Sequence, residues 1–217
     1  MMWWCVLGSK EIFQDNKSKY RLVDGQWSNK DIQGNVLSIN DIPGTLTKIQ
    51  RFQGTVCRVR ESDTLRRLLN VEPSPEYRDI STCEADLIKS VEKGLKKLHW
   101  KDFEILVDLM FRESGWRRIS MLGGPMKFRD LELEDPITED KYQVQIKSHA
   151  TLGEFQGYAK EFDRQHHRKL YFVVHSPDKN LFTIKKIPQD VELILPRRLS
   201  EMVVRLGLVD WLKAHIK

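Results

Sequence analysis

Between residues 100 and 175 the spacing of apolar positions changes several times, and each change marks a new element. Phe103, Leu106, Val107, Met110 and Phe111 recur at helical spacing, and Gly115 is placed to end that helix with a positive φ. Two alternating stretches follow. Leu131 and Leu133 interleave with Asp130, Glu132 and Glu134, and Tyr142, Val144 and Ile146 interleave with Gln143, Gln145 and Lys147. They predict strands over 127–134 and 141–147, each with one apolar and one polar face. Thr151 and Glu154 form a capping box that opens a helix with Phe155, Tyr158, Ala159 and Phe162 along one side. The continuous apolar run Leu170 to Val174 fits a strand covered on both faces, parallel to 141–147 across the helical crossover. Leu181 to Ile184 and Val191 to Leu195 read as shorter strands, and 199–206 and 208–216 as a helix interrupted near Gly207. This order predicts an α/β fold with a mixed sheet.

The amino-terminal part has a different texture. Trp3 to Leu7, Tyr20 to Val23, Asn35 to Ile39 and Thr45 to Ile49, running on toward Thr55 to Val59, read as short strands. Asp24-Gly25, Gly34-Asn35 and Pro43-Gly44 separate them, which suits a small mostly-β module over 1–72. A short helix is predicted over Thr64 to Leu69, and Pro73 and Pro75 break the chain after it. Ser81 and Glu84 look like a second capping box, opening a helix with Ala85, Leu87, Ile88, Val91, Leu95 and Leu98 as its apolar stripe. The division is therefore a module over 1–72, a linker and helix over 73–97, and a catalytic domain over 98–217.

Composition narrows the classes. Of 217 residues, 40% are hydrophobic and 31% charged, which describes a folded globular chain rather than a disordered one. No stretch reaches the roughly 18 apolar residues of a membrane helix. The apolar start Trp3 to Leu7 is too short for a secretory signal, so the expected compartment is the cytoplasm. Cys5, Cys57 and Cys83 show no paired spacing and indicate neither a zinc knuckle nor a disulfide framework. A net charge of +5 is compatible with a nucleic-acid partner and does not by itself require one.

The polar faces of the two alternating strands make a cleft of carboxylates and one lysine. Carboxylate oxygens are preferred ligands of hard divalent cations, and a lysine beside such an ion can hold a reacting phosphate or a water. The pattern points to metal-assisted phosphodiester chemistry. Arg164, His166, His167 and Arg168, with Lys160 a turn earlier, form a basic segment suited to phosphate contacts that give affinity without sequence choice.

The run Phe103-Glu104-Ile105-Leu106-Val107, then Gly115-Trp116, Gly123-Gly124, Asp130 and Gln145-Ile146-Lys147, resembles the Mrr-type restriction endonuclease-like domain of the PD-(D/E)XK nuclease superfamily. The resemblance covers roughly residues 98 to 175 and implies an αβββαβ core. It makes Asp130 the metal-binding aspartate and Lys147 the signature lysine, with Gln145 in place of the second acid. A neutral amide supplies no charge, so another carboxylate should complete the site. Glu104 matches the family's helix acid, and Glu132 is the alternative on the strand face of Asp130. In the family, glycines usually stand directly before the aspartate; here Met126, Lys127, Phe128 and Arg129 intervene, and a shifted turn would pass its role to Glu132 or Asp135.

The resemblance implies a DNA endonuclease of the restriction or host-defence kind. It would use magnesium, or manganese in its place, act on double-stranded DNA and need no nucleotide cofactor. Cutting two strands calls for two active centres, hence a homodimer. A repair or junction-resolving nuclease on the same core is one alternative, and a non-cutting DNA-binding or scaffold module is the other.

Overall fold

A computed structural model describes residues 1–51, 53, 58–119 and 130–217. Gly123, Gly124 and residues 127–129 lie outside this range, as does most of the Thr55 to Val59 stretch. The chain divides into two compact units, 1–81 and 82–217, and the division falls inside one helix.

In the first unit, β1 (Trp4–Leu7) pairs antiparallel with β4 (Val23–Ser28), and β2 (Phe13–Gln14) with β3 (Lys19–Tyr20). β4 continues through Asp24-Gly25 where a turn was expected, with Gly25 at φ 84° in a stretch where the register against β1 shifts. Asn35 to Ile39 forms no strand and contributes only an isolated bridge from Lys30 to Val36. The segment expected as a strand from Thr45 is helical instead: α1 (Gly44–Thr47) leads into a 3-10 turn over Lys48–Arg51. Pro43 explains the switch. Its fixed φ starts a helical turn, and its carbonyl accepts the N–H groups of Leu46 and Thr47.

α2 (Ser62–Asn70) is where the sequence places it. α3 (Pro75–Leu95) begins well before Ser81. Pro75 is not a breaker here; it opens the helix, and the Ser74 hydroxyl accepts the N–H of Tyr77 as the true cap. Ser81 sits inside the helix, with its hydroxyl donating to the Tyr77 carbonyl.

The second unit runs α4 (Trp100–Glu113), β5 (Arg117–Arg118), β6 (Leu131–Glu134), β7 (Lys141–Ala150), α5 (Leu152–Glu161), β8 (Lys169–Pro177), α6 (Lys179–Phe182), β9 (Val191–Ile194), α7 (Pro196–Arg205) and α8 (Val209–His215). The α/β class is thus the one expected. The five strands stand in the order β5-β6-β7-β8-β9, antiparallel up to β7 and parallel from there on. Leu181, expected in a strand, is a fully buried residue of α6, since a four-residue apolar run carries no period that separates helix from strand.

Two cores flank the sheet. Leu131, Leu133, Val144, Ile146 and Val173 pack with residues of α4, α7 and α8, while Phe155, Ala159, Leu170, Phe172 and Val174 form the α5 side. At Gly94 an added Cβ would meet Ile216 at 3.1 Å and Leu212 at 3.3 Å, so the missing side chain admits the last helix. Among the described residues no helix is long and apolar enough to cross a membrane.

His175 is buried on β8, edge-on to Phe103 at 4.5 Å between centroids, with Nδ1 on the Ser176 hydroxyl and Nε2 without a hydrogen-bond partner among the described residues. Burial pushes its pKa down to about 4, with His149 and Lys96 adding to the effect.

Two measurements check this packing. Phe172→Ala should cost about 3–5 kcal/mol in urea unfolding, and Phe182→Ala, at an exposed ring, about 0.5 kcal/mol or less. For His175 the unfolded chain takes up a proton near pH 6.5 and the folded chain only near 4, so stability is lost as pH falls through that window. Its full contribution is about 3 kcal/mol. Unfolding of the wild type and His175→Leu at pH 7 and pH 5 should show a weaker pH dependence for the variant.

Candidate active site

β7 lies in the middle of the sheet, so its polar alternation does not face water. Gln143 and Gln145 are 5% and 2% exposed, covered on the α5 side of the sheet. Lys147 is the first half-buried polar residue along the strand, and it stands beyond the last β6 pairing, Leu131 with Val144. The candidate side chains gather at the start of β6.

Asp130 occupies that end. Its N–H donates to the Val144 carbonyl, and its Oδ2 accepts both the Ile146 N–H and the Gln145 Nε2, each at 2.6 Å. One carboxylate oxygen thus fixes the Gln145 amide and the backbone of β7 together. Gln145 Oε1 is left buried without a hydrogen-bond partner among the described residues. A buried amide oxygen with no donor is costly, and a cation is one way to satisfy it.

Burial raises the Asp130 pKa, against the opposing effects of the Ile146 N–H, the Lys147 charge and the Gln145 amide. Glu104 on α4 is raised too, by burial first and then by the Asp130 charge, with Arg118, Lys147 and Lys101 pulling the other way. The two acids sense one another and the same lysine. Burial lowers the Lys147 pKa, but the Tyr158 hydroxyl, Asp130 and Glu154 more than compensate and hold it above the ordinary lysine value. Lys147 Nζ lies 5.2 Å from the centroid of the Tyr158 ring.

Asp130, Gln145, Lys147 and Glu104 therefore share one electrostatic neighbourhood. Glu132 does not join it in the same way: its Oε1 pairs with His167 Nε2 at 3.0 Å. Asp135 caps a turn, accepting the N–H groups of Ile137 and Thr138. The basic segment expected to face DNA is partly engaged in ion pairs, with the Arg164 and Arg168 side chains still 45% and 65% exposed. α5 ends at Glu161, so only Lys160 is on the helix, and it is exposed. Arg164 is bound to Asp190 at 2.6 Å, Arg168 is clamped to Asp140, and His167 is buried.

Sequence reasoning missed Tyr158, Glu154, Lys101 and Arg118. The first two were within reach: the capping box sets the start of α5, which puts Glu154 and Tyr158 four residues apart on one face.

Among the described residues no group of three His, Cys, Asp or Glu side chains is arranged to hold a metal. Two carboxylates and the Gln145 oxygen remain as donors. That set fits magnesium, which keeps several waters and takes one or two carboxylates, better than a metal needing a full protein cage.

Glu104 offers a test that needs no substrate. An acid whose folded pKa is raised destabilises the fold above its unfolded value near 4.3, and the cost vanishes once both states are protonated. Glu104→Gln should raise the melting temperature by about 1–3 °C at pH 8 and leave it unchanged at pH 3.5. Magnesium should raise the melting temperature of the wild type more than that of the variant.

No family model, curated protein or solved structure matches this chain.

Proposed function

We propose that this chain is a magnesium-dependent deoxyribonuclease of the PD-(D/E)XK kind, Mrr type, acting on duplex DNA in the cytoplasm. The observation that carries the reading is the unsatisfied Oε1 of Gln145, whose amide is held by Asp130 beside the charges of Glu104 and Lys147. A soluble fold gains nothing by burying that oxygen, whereas a site for a hard cation uses it.

Asp130, Glu104 and the Gln145 oxygen would hold the ion. Magnesium in that place supplies the positive charge that neutralises a scissile phosphate and acidifies a water. Lys147 has the complementary part. Its raised pKa keeps it an ammonium at neutral pH, so it is a charge and a hydrogen-bond donor rather than a proton acceptor. It can orient the attacking water or stabilise the phosphorane oxygens, and it cannot be the general base. Tyr158 and Glu154 keep that charge in place from the α5 side.

A second reading has its own observation. Asp130 Oδ2 already serves two donors of β7, which is also what a purely structural cap of the strand does. A DNA-binding module that does not cut would retain that cap.

Plasmid nicking separates the two. The wild type should cut with magnesium and not with EDTA, and Asp130→Asn and Lys147→Ala should each lose about 100-fold or more in rate while melting cooperatively. Binding without cutting supports the second reading, and cutting untouched by both variants removes the site.

A further inference from the structure

The arginines that sequence reasoning assigned to DNA are locked in close pairs, but another set is not. Gly115, at φ 90°, turns the chain sharply between α4 and β5 and brings Arg112, Arg117 and Arg118 around one open hollow of about 490 Å³. Asp108 and Trp116 complete its lining. Trp116 gives it a rigid wall, since its ring stands edge-on to Tyr142 at 4.4 Å and to Phe111 at 6.2 Å. Three guanidiniums against one carboxylate leave the lining positive.

The pairing is loose where it matters. Arg112 lies 4.0 Å from Asp108 with its side chain 60% exposed, and Arg117 lies 4.0 Å from Glu134 with its side chain 74% exposed. At that separation neither pair is a hydrogen bond, and although Asp108 and Glu134 are largely covered, at 15% and 23% exposed, both guanidiniums reach solvent. A phosphate can therefore take both guanidiniums at small cost, and the planar fork of arginine matches its oxygens. Arg118 is different: it is tied to Asp108 at 3.4 Å and is mostly covered, and its charge also reaches Glu104.

Arg118 thus connects the hollow with the acids of the candidate site. Along α4 the distance from Glu104 to Arg112 is eight residues, or about 12 Å, short enough for one DNA strand to reach both.

We propose that the hollow at the α4–β5 corner seats backbone phosphates of the DNA strand flanking the scissile bond, with Arg112 and Arg117 as the contacting side chains. The inference rests on the nuclease reading for its substrate and on the arginine geometry for its place. It replaces the basic segment after α5 as the main contact surface.

The test is binding, in EDTA so that no cutting occurs. Fluorescence anisotropy of a labelled duplex, titrated at several potassium chloride concentrations, gives the slope of log affinity against log salt. The Arg112→Gln, Arg117→Gln double variant should lower the slope by about 2, since each lost phosphate contact removes about 0.9, and should weaken low-salt binding at least about tenfold. Lys160→Gln should change the slope by less than about half a unit. A double variant with the wild-type slope, an equal loss with Lys160→Gln, or no low-salt binding by the wild type overturns the proposal. The two readings fail separately: an arginine-dependent slope without magnesium-dependent cutting keeps the corner and ends the hydrolase reading, while cutting with an unchanged slope does the reverse.

Discussion

The candidate site depends on a single carboxylate oxygen. Asp130 Oδ2 takes the N–H of Ile146, where the β6 pairing has ended, and in the same position takes the amide of Gln145. Every other feature follows from that anchor. It keeps Gln145 turned so that among the described residues its oxygen has no hydrogen-bond partner, it sets the negative charge that Glu104 and Lys147 feel, and it joins the start of β6 to the buried centre of β7. Had Gln145 been a second acid, two charges at 2.6 Å would repel across this junction. The amide instead donates to the aspartate, and the Lys147 ammonium nearby offsets its charge.

What could be read from the sequence was what had a period or a cap. α4, β6, β7, α5 and β8 in that order, the parallel pairing of β7 with β8, the capping box of Thr151 and Glu154, and the positive φ of Gly115 all follow from repeated spacing or from one residue with a steric reason to be there, while the two-residue β5 has no such signal. The misread elements are short. Thr45 to Ile49 and Leu181 to Ile184 hold too few apolar residues to show a period, and Pro43 decides the first of them locally. Ser81 and Glu84 matched a cap by spacing, but Pro75 had already begun the helix.

The site was legible in its members and less so in its neighbours. Alternation put Gln145 and Lys147 on one face of β7, and the register bears that out, though the face is buried rather than open. The same reasoning could not tell Glu132 from Asp130. Glu132 finds its partner in His167, 35 positions along the chain, and only the closed sheet brings the two together. Arg164 and Arg168 went the same way, taken up by Asp190 and Asp140. A basic residue's type is visible in a sequence, but whether its charge is still available depends on acids far along the chain.

Glu154 deserves the last consideration because its carboxylate serves two masters. It accepts the Thr151 N–H and hydroxyl at the start of α5, and the same negative charge helps keep Lys147 protonated. Fraying of the opening turn of this helix would therefore also withdraw one of the charges, after Tyr158 and Asp130 the smallest, that favour the ammonium on the adjoining strand.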